Sequence, residues 1–515
     1  MNGAEALIQT LTDSGVKVCF ANPGTSEMQL VAAIDKQKGM RAILGLFEGV
    51  VTGAADGYGR MTDKPSATLL HLGPGLANGL ANLHNAKRAR TPMINIVGDH
   101  AVEHLKHDAP LTSDIIGLAQ PMSNWVRTSQ SPSDLAKAGS EAAAISQTYP
   151  GKITTIIAPG DHAWTDGAET AIIKNIPETP KANQNTITEA AEILGLAGAS
   201  AIFLGGRALR EGALFQAGRV AAKTGARIIC ETLPARLQRG IGRVAVERLP
   251  YFAEMALAHL EGLKKIICVG VKPPVSFFAY PDKPSWLSPE DATLIELADV
   301  HTDAEDALAR LAEAICAPKK PANVQEATQV SFEHGKLTRE SLGIIISQLL
   351  PENAIVSDES GTSGGALFRH TASSPQHDWL IQTGGAIGQG LPVAVGAAVA
   401  CPTRKVLALQ ADGSGMYTLQ ALWTMARENL DVTTVIMKNN SYGILNIELG
   451  RVGVTNPGPK ALSLLDLTNP ELDWVAMSEG MGVPAQRAET AEQFHEALAQ
   501  GIDHSGPRLI EAVLR

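Results

Sequence analysis

An Asp-Gly-Ser-Gly run, Asp412 to Gly415, closes the strand-like segment 405–411, and a pair of asparagines, Asn439 and Asn440, follows the strand-like segment 432–437. A helical stretch through Ala421, Leu422 and Trp423 lies between, so the second strand should return beside the first. Asp412 and Asn439, 27 positions apart, then converge on one point. An Asp carboxylate, an Asn amide oxygen and a backbone carbonyl are hard oxygen donors, suited to octahedral magnesium that also carries phosphate oxygens. Gly413 and Ser414, opening a helix, offer amides and a hydroxyl where a diphosphate would sit. The same residues also make an ordinary strand turn with a capping Asp and a loop Asn.

Glu48 and His71 are the other residues placed for chemistry. Strand-like 41–47 runs into Glu48 and then into a helical pattern with Gly49, Gly53, Ala54 and Gly57 at three- and four-residue steps. One face of that helix is nearly bare and should pack backbone-close against another element. Residues 67–72 read as a strand, Gly73-Pro74-Gly75 as a turn, and Leu76 onward as a helix. Glu48 and His71 therefore fall at the carboxyl ends of parallel strands, where open α/β sheets bind ligands. His100 and His104 have the i, i+4 spacing of zinc ligands, but neither His107 nor anything after it supplies a fitting third ligand, so no metal is expected there.

These residues are carried by alternating apolar runs and helical patterns, the sequence form of α/β architecture with mainly parallel sheets flanked by helices. Polar, proline-bearing segments at 174–181 and 317–323 cut the 515 residues into three blocks, expected domains 1–175, 182–318 and 330–515. In the middle block, 201–206 and 266–270 look like buried strands ending in glycine. Neither completes a dinucleotide fingerprint, so that block reads as structural support. With 53 acidic against 43 basic residues, a formal charge of -10 and few aromatics, the chain is not built for nucleic acid. Five widely spaced cysteines read as buried thiols. The N-terminus lacks a basic leader and the apolar stretch from Gly390 to Cys401 is too short to span a bilayer, so a soluble, cytoplasmic protein is expected.

The acidic-Gly turn followed by Asn-Asn resembles the thiamine-diphosphate signature. Three further runs, Asn22 to Glu27, Glu48-Gly49 with Ala55 to Arg60, and Gly73 to Asn78, resemble the pyrimidine-binding (PYR) domain of acetohydroxyacid (acetolactate) synthases and benzoylformate decarboxylase. Gly384 to Gly388 with Leu391-Pro392 resembles the start of the same family's diphosphate-binding (PP) domain. The resemblance spans nearly the whole chain in the expected order and implies a central Rossmann-like domain between two related outer ones.

It also implies roles. Asp412, Asn439 and the carbonyl of Ser441 would hold the metal; Gly361, Thr362, Gly413, Ser414 and Tyr442 would contact the diphosphate side of the cofactor. Glu48 would hydrogen-bond the aminopyrimidine, the carbonyl of Gly385 would accept from its amino group, and Ile387 would be the apolar wedge beneath the thiazolium; a plain core Ile is the plainer alternative. His71 matches an active-site histidine of benzoylformate decarboxylase and Thr25 its carboxylate-binding serine, although a strand-end His satisfied by backbone fits the sequence too. Two departures stand out: Ala411 replaces the usual first Gly of the metal motif, and residues 275–280 offer no second histidine, which shifts weight toward carboligation.

The expected protein is a thiamine-diphosphate and magnesium enzyme, a homodimer or homotetramer with active sites between subunits, acting on a small 2-oxo acid as a non-oxidative decarboxylase. An acetolactate synthase-like carboligase is the close alternative; a non-catalytic scaffold of this fold is the rival of another class, with no need to keep Glu48, Asp412 and Asn439 together. FAD is not expected, although the synthases make it possible by analogy.

Overall fold

A computed structural model describes residues 1–514. The first sheet contains β1 (Val18–Asn22), β2 (Arg41–Leu44), β3 (Ser66–Leu70), β4 (Met93–Asp99), β5 (Trp125–Thr128) and β6 (Ile153–Pro159), all parallel in the order β2-β1-β3-β4-β6-β5. Next come β7 (Ser200–Leu204), β8 (Arg227–Cys230), β9 (Leu237–Arg239), β10 (Glu247–Arg248), β11 (Lys265–Val269) and β12 (Thr293–Ala298). All but β9 form a second parallel sheet, β10-β8-β7-β11-β12. The third sheet, β17-β18-β16-β15-β13-β14-β9, adds β13 (Ile355–Glu359), β14 (His377–Ile381), β15 (Val406–Ala411), β16 (Val432–Lys438), β17 (Ala485–Ala488) and β18 (Arg508–Val513). It is parallel apart from β9, which runs antiparallel to β14. Strands β4, β6, β7, β11 and β13 are buried or nearly so on both faces, as continuous apolar runs between two helical layers must be.

Strand β9 lies far from its partner in sequence yet extends the third sheet. Its Arg239 guanidinium stacks on the Phe368 ring at 3.7 Å and donates to the Phe368 carbonyl at 2.7 Å. That contact, together with the buried Leu237, holds a strand of three residues in place.

The bare helix face has its partner. Helix Glu48–Thr62 lies against helix Gly390–Ala400, which is buried on every side. A Cβ on Gly57 would sit 2.1 Å from the Val393 carbonyl oxygen, and one on Gly396 would sit 1.8 Å from that of Ala54. Both distances are far inside van der Waals contact, so the backbones meet only because these positions are glycine. Asp56, fully buried, locks the same junction: it accepts from Arg60 Nε (2.9 Å) and Nη2 (2.6 Å), Thr91 Oγ1 (2.5 Å) and Gln389 Nε2 (2.5 Å). Arg60 Nη1 donates to the Ile381 carbonyl at 2.7 Å, so the first and third sheets share one buried ionic hub.

Two expectations need correction. The helix after His71 begins at Leu72, not Leu76, and runs to Ala89; Pro74 fits in its first turn, where an N–H would have no intrahelical partner anyway. Of the five free thiols, Cys19, Cys230 and Cys268 are buried, Cys401 is half-buried and Cys316 is exposed, because Cys316 follows the last turn of a surface helix. Among the described residues no helix is long and apolar enough to cross a membrane.

Candidate active site

Strands β16, β15 and β13 are neighbours, so their carboxyl ends bring three loops together. Asp412 is buried; its Oδ2 accepts from the amides of Asn439 (3.0 Å) and Asn440 (2.6 Å), and its Oδ1 from Gly413 (2.9 Å). The two residues 27 positions apart are thus in contact. Burial pushes the Asp412 carboxyl above its ordinary pKa, while the three amides pull it back down. Asn439 Oδ1 accepts from the Ser441 amide at 3.1 Å, and Asn440 Oδ1 is buried with no partner. A carboxylate accepts about four hydrogen bonds, so Asp412 retains acceptor capacity for a cation. Lys438 leaves the ion space alone: its Nζ turns to Glu511, 3.0 Å away.

Around this loop the donors expected for a diphosphate are partly committed. Gly361 has φ +57° and begins a short turn that continues through Thr362. Thr362 Oγ1 and Asn439 Nδ2 lie 3.2 and 3.4 Å from where a Cβ on Gly443 would be, so the 361–362 turn and the Asn439 loop face each other. The Tyr442 ring would lie 2.6 Å from a Cβ on Gly413 and covers that turn. Ser414 is buried, with its hydroxyl accepting from Gln410 Nε2 (2.5 Å) and donating to the Ala411 carbonyl (3.3 Å), so any role for it falls to its amide.

The 384–388 loop is pinned from two sides. Glu359, buried at the end of β13, accepts from the amides of Gly388 and Gly390, both at 2.7 Å, and from Gln410 Nε2 at 3.0 Å. Burial pushes its carboxyl up to about 7 despite those donors. From the first sheet, Asn82 Nδ2 donates to the carbonyls of Gly49 (2.8 Å) and Gly388 (3.3 Å), and Asn85 exchanges bonds with Ala386. Gly385 is exposed at φ +81° and Ile387 is half-buried. The Phe277 ring, from the second sheet's loops, comes within 3.2 Å of the Cβ position of Gly385.

Glu48 opens its helix, nearly buried, and its Oε2 accepts from Asn78 Nδ2 at 3.0 Å. Strands β1 and β3 pair with Asn22 opposite Leu70, so the loop holding Thr25 runs beside His71. Thr25 is exposed there. His71 Nδ1 lies 2.8 Å from Glu27 Oε2, which also accepts from the Gly24 amide at 2.8 Å. Glu27 is fully buried; burial pushes its carboxyl up, and the Gly24 amide and His71 pull it down. Its other oxygen, Oε1, is buried without a partner against Gly98, where a Cβ would come within 1.8 Å. Sequence reasoning missed Glu27, whose partner is 44 positions away. The available signal was an acid three residues after Gly24 in a strand-end loop. Leu72, next to His71, is held at φ +47°, a strained conformation for a bulky side chain and one that clusters at working sites.

Residues 1–118 match the family described as thiamine pyrophosphate enzyme, N-terminal TPP binding domain, and residues 359–512 match its C-terminal TPP binding domain. A Mycobacterium tuberculosis protein, provisionally named an acetolactate synthase large subunit (IlvX), is 52% identical over 515 residues, covering 100% of this chain and 99% of its own. The chain belongs to the thiamine-pyrophosphate-dependent enzymes. Within them it is a member of the acetolactate synthase and benzoylformate decarboxylase group: benzoylformate decarboxylase of Pseudomonas aeruginosa is 26% identical, with 98% of this chain and 97% of that one covered. Acetolactate synthase isozyme 1 large subunit of Escherichia coli is 23% identical, covering 99% and 93%. The fold matches that of the Rhodococcus jostii 4-hydroxybenzoylformate decarboxylase, with a TM-score of 0.88 at 24% identity over 100% of this chain and 99% of that one.

The donor set fits the family's cofactor: an Asp carboxylate with spare acceptor capacity, an Asn side chain beside it, and glycine turns that leave room for a diphosphate. Among the described residues no hydrogen bond joins Glu48 to the Asp412 loop.

Proposed function

We propose that this cytoplasmic protein decarboxylates a small 2-oxo acid without oxidation, using thiamine diphosphate and magnesium, in an assembly of two or four copies whose sites form between subunits. The observation that carries the reading is the contact of Asp412 with the Asn439 loop at the edge where three strand ends meet. We assign residues 1–175, 182–318 and 330–515 to the PYR, central and PP domains.

When bound, thiamine diphosphate supplies the carbon nucleophile and the electron sink for breaking the bond at the 2-oxo carbon. Asp412, Asn439 and the Ser441 carbonyl hold magnesium; Gly361, Thr362 and the amides of Gly413 and Ser414 hold the diphosphate, with Tyr442 packed over the turn. Ile387 and the Gly385 carbonyl orient the rings, and Glu48 holds the proton on the aminopyrimidine. Thr25 orients the substrate carboxylate. Nδ1 of His71 is occupied by Glu27, which leaves Nε2 to deliver the proton that replaces carbon dioxide. One 2-oxo carboxylate anion and one proton give one aldehyde and one carbon dioxide.

Acetolactate synthase-like carboligation is the second reading, favoured by the name of the 52%-identical relative and by Phe277, an aromatic side chain that cannot relay a proton, beside Gly385. Product analysis with a panel of 2-oxo acids separates the two: aldehyde alone means decarboxylation, whereas a 2-hydroxy ketone or acetolactate means ligation. Neither product from any acid would leave the non-catalytic scaffold.

A further inference from the structure

A cavity of about 30 Å³ lies between the first and second sheets, lined by Arg60, Arg90, Arg207, Arg210 and Arg236, with Asp63 the one carboxylate on its wall. A water molecule needs roughly 10–15 Å³ of such space, so the cavity has the size of two or three waters or one tetrahedral oxyanion. Two of the arginines are committed. Arg60 is bidentate to Asp56, and Arg236 Nε donates to Asp378 Oδ1 at 2.5 Å. Arg207 Nη2 and Arg210 Nη2 each stand 3.3 Å from Asp63 Oδ1; Arg207 also donates Nε (3.1 Å) and Nη2 (2.6 Å) to the Pro150 carbonyl, and Arg210 Nη2 donates to the Arg60 carbonyl at 3.4 Å. Within the lining, the guanidinium groups of Arg90, Arg207 and Arg210 meet one carboxylate, with Glu231 a further counter-charge to Arg90.

Arg210 and Arg90 are also short of hydrogen bonds. Arg210 keeps Nε and Nη1 buried with no acceptor, and burial beside Arg236 pushes its pKa down to about 9. Arg90 reaches from the first sheet to the turn after β7, where a Cβ on Gly206 (φ +53°) would come within 3.3 Å of its Nη1. Its electrostatic counterpart is Glu231, which accepts from the Gly206 amide at 2.9 Å and whose carboxyl burial pushes up. Among the described residues no hydrogen-bond acceptor meets the Arg90 guanidinium. Cations short of acceptors are costly to bury, and a dianion offering several oxygens would meet the spare donors of Arg210 and Arg90 together beside Arg207.

We infer that this cavity binds a phosphoryl group, clamped by Arg90 from the first sheet's side and by Arg207 and Arg210 from the turn after β7. Such a ligand would tie the two sheets together in a cavity whose lining shares no residue with the Asp412 loop, and the inference does not rest on the proposed reaction.

The test is calorimetric titration of the full chain, saturated with thiamine diphosphate and magnesium in a phosphate-free buffer. Inorganic phosphate and ADP are the separate probes, with chloride at matched ionic strength as the control. The expected result is saturable binding of at least one probe with a Kd below about 1 mM, weakened tenfold or more in Arg90→Gln and in Arg210→Gln. Equal affinities for the two probes identify a free anion, and tighter binding of ADP identifies a nucleotide-borne phosphoryl group; both support the site. No saturable binding of either probe to the wild type, or unchanged binding in Arg90→Gln, would overturn it. Arg90→Gln decides alone if Arg210→Gln does not fold, because it removes no hydrogen bond from the protein.

Discussion

Glu27→Gln isolates the one charge buried behind His71. The native carboxylate accepts at Oε2 from both the Gly24 amide and His71 Nδ1, each at 2.8 Å. A charge-assisted hydrogen bond contributes about 1.5–3 kcal/mol against about 0.5–1.5 for a neutral one, so loss of the charge weakens the hold on the His71 ring by about 1 kcal/mol. The amide also places an NH2 where Oε1 lies unpartnered beside Gly98, or else opposes the Gly24 N–H, so tautomer control suffers and kcat/KM should fall about tenfold. The assay is carbon dioxide release from the best 2-oxo acid between pH 5 and 9, with thermal unfolding in parallel. A variant that loses stability but keeps the wild-type kcat/KM would refute the positioning role.

Two further outcomes follow from packing and titration. Gly396→Ala puts a methyl 1.8 Å from the Ala54 carbonyl oxygen, and the overpacking should cost about 3 kcal/mol or more, read as a lower unfolding midpoint in urea; an unchanged midpoint would contradict the close helix pairing. Glu359, raised from 4.5 to about 7, binds its proton more tightly in the native state, so its contribution is complete below pH 4.5 and lost as pH rises to about 7. The size is about 3 kcal/mol, and urea unfolding of wild type and Glu359→Gln across pH 4.5 to 8 should show that fall only in the wild type.

Much of this was legible because the chemistry is local or periodic. Small residues at helical spacing after Glu48 announced a backbone-close contact, although only the structure names Gly396 and Val393 as the other side. The strand–helix–strand grammar was enough to bring Asp412 to Asn439. What could not be read depends on distant partners. Nothing in three residues at 237–239 signals an antiparallel edge strand; the Phe368 ring under Arg239 decides it. Glu27 looks like a loop acid until His71 is beside it, and Glu359 until Gly388 and Gly390 close on its oxygens. The arginines around the inter-sheet cavity come from segments far apart in sequence, each of which alone reads as a solvated charge.

The central claim is that Glu48 and the Asp412 loop together run thiamine-dependent chemistry on a 2-oxo acid. Its most direct test is carbon dioxide release by purified protein given thiamine diphosphate, magnesium and aliphatic and aromatic 2-oxo acids, beside Glu48→Gln under the same conditions. The account predicts cofactor-dependent release by the wild type, suppressed in Glu48→Gln by about a hundredfold or more, the typical contribution of a positioned proton-transfer group. Equal release by the two proteins, or none from any acid by a wild type whose melting temperature ignores the cofactor, would contradict it.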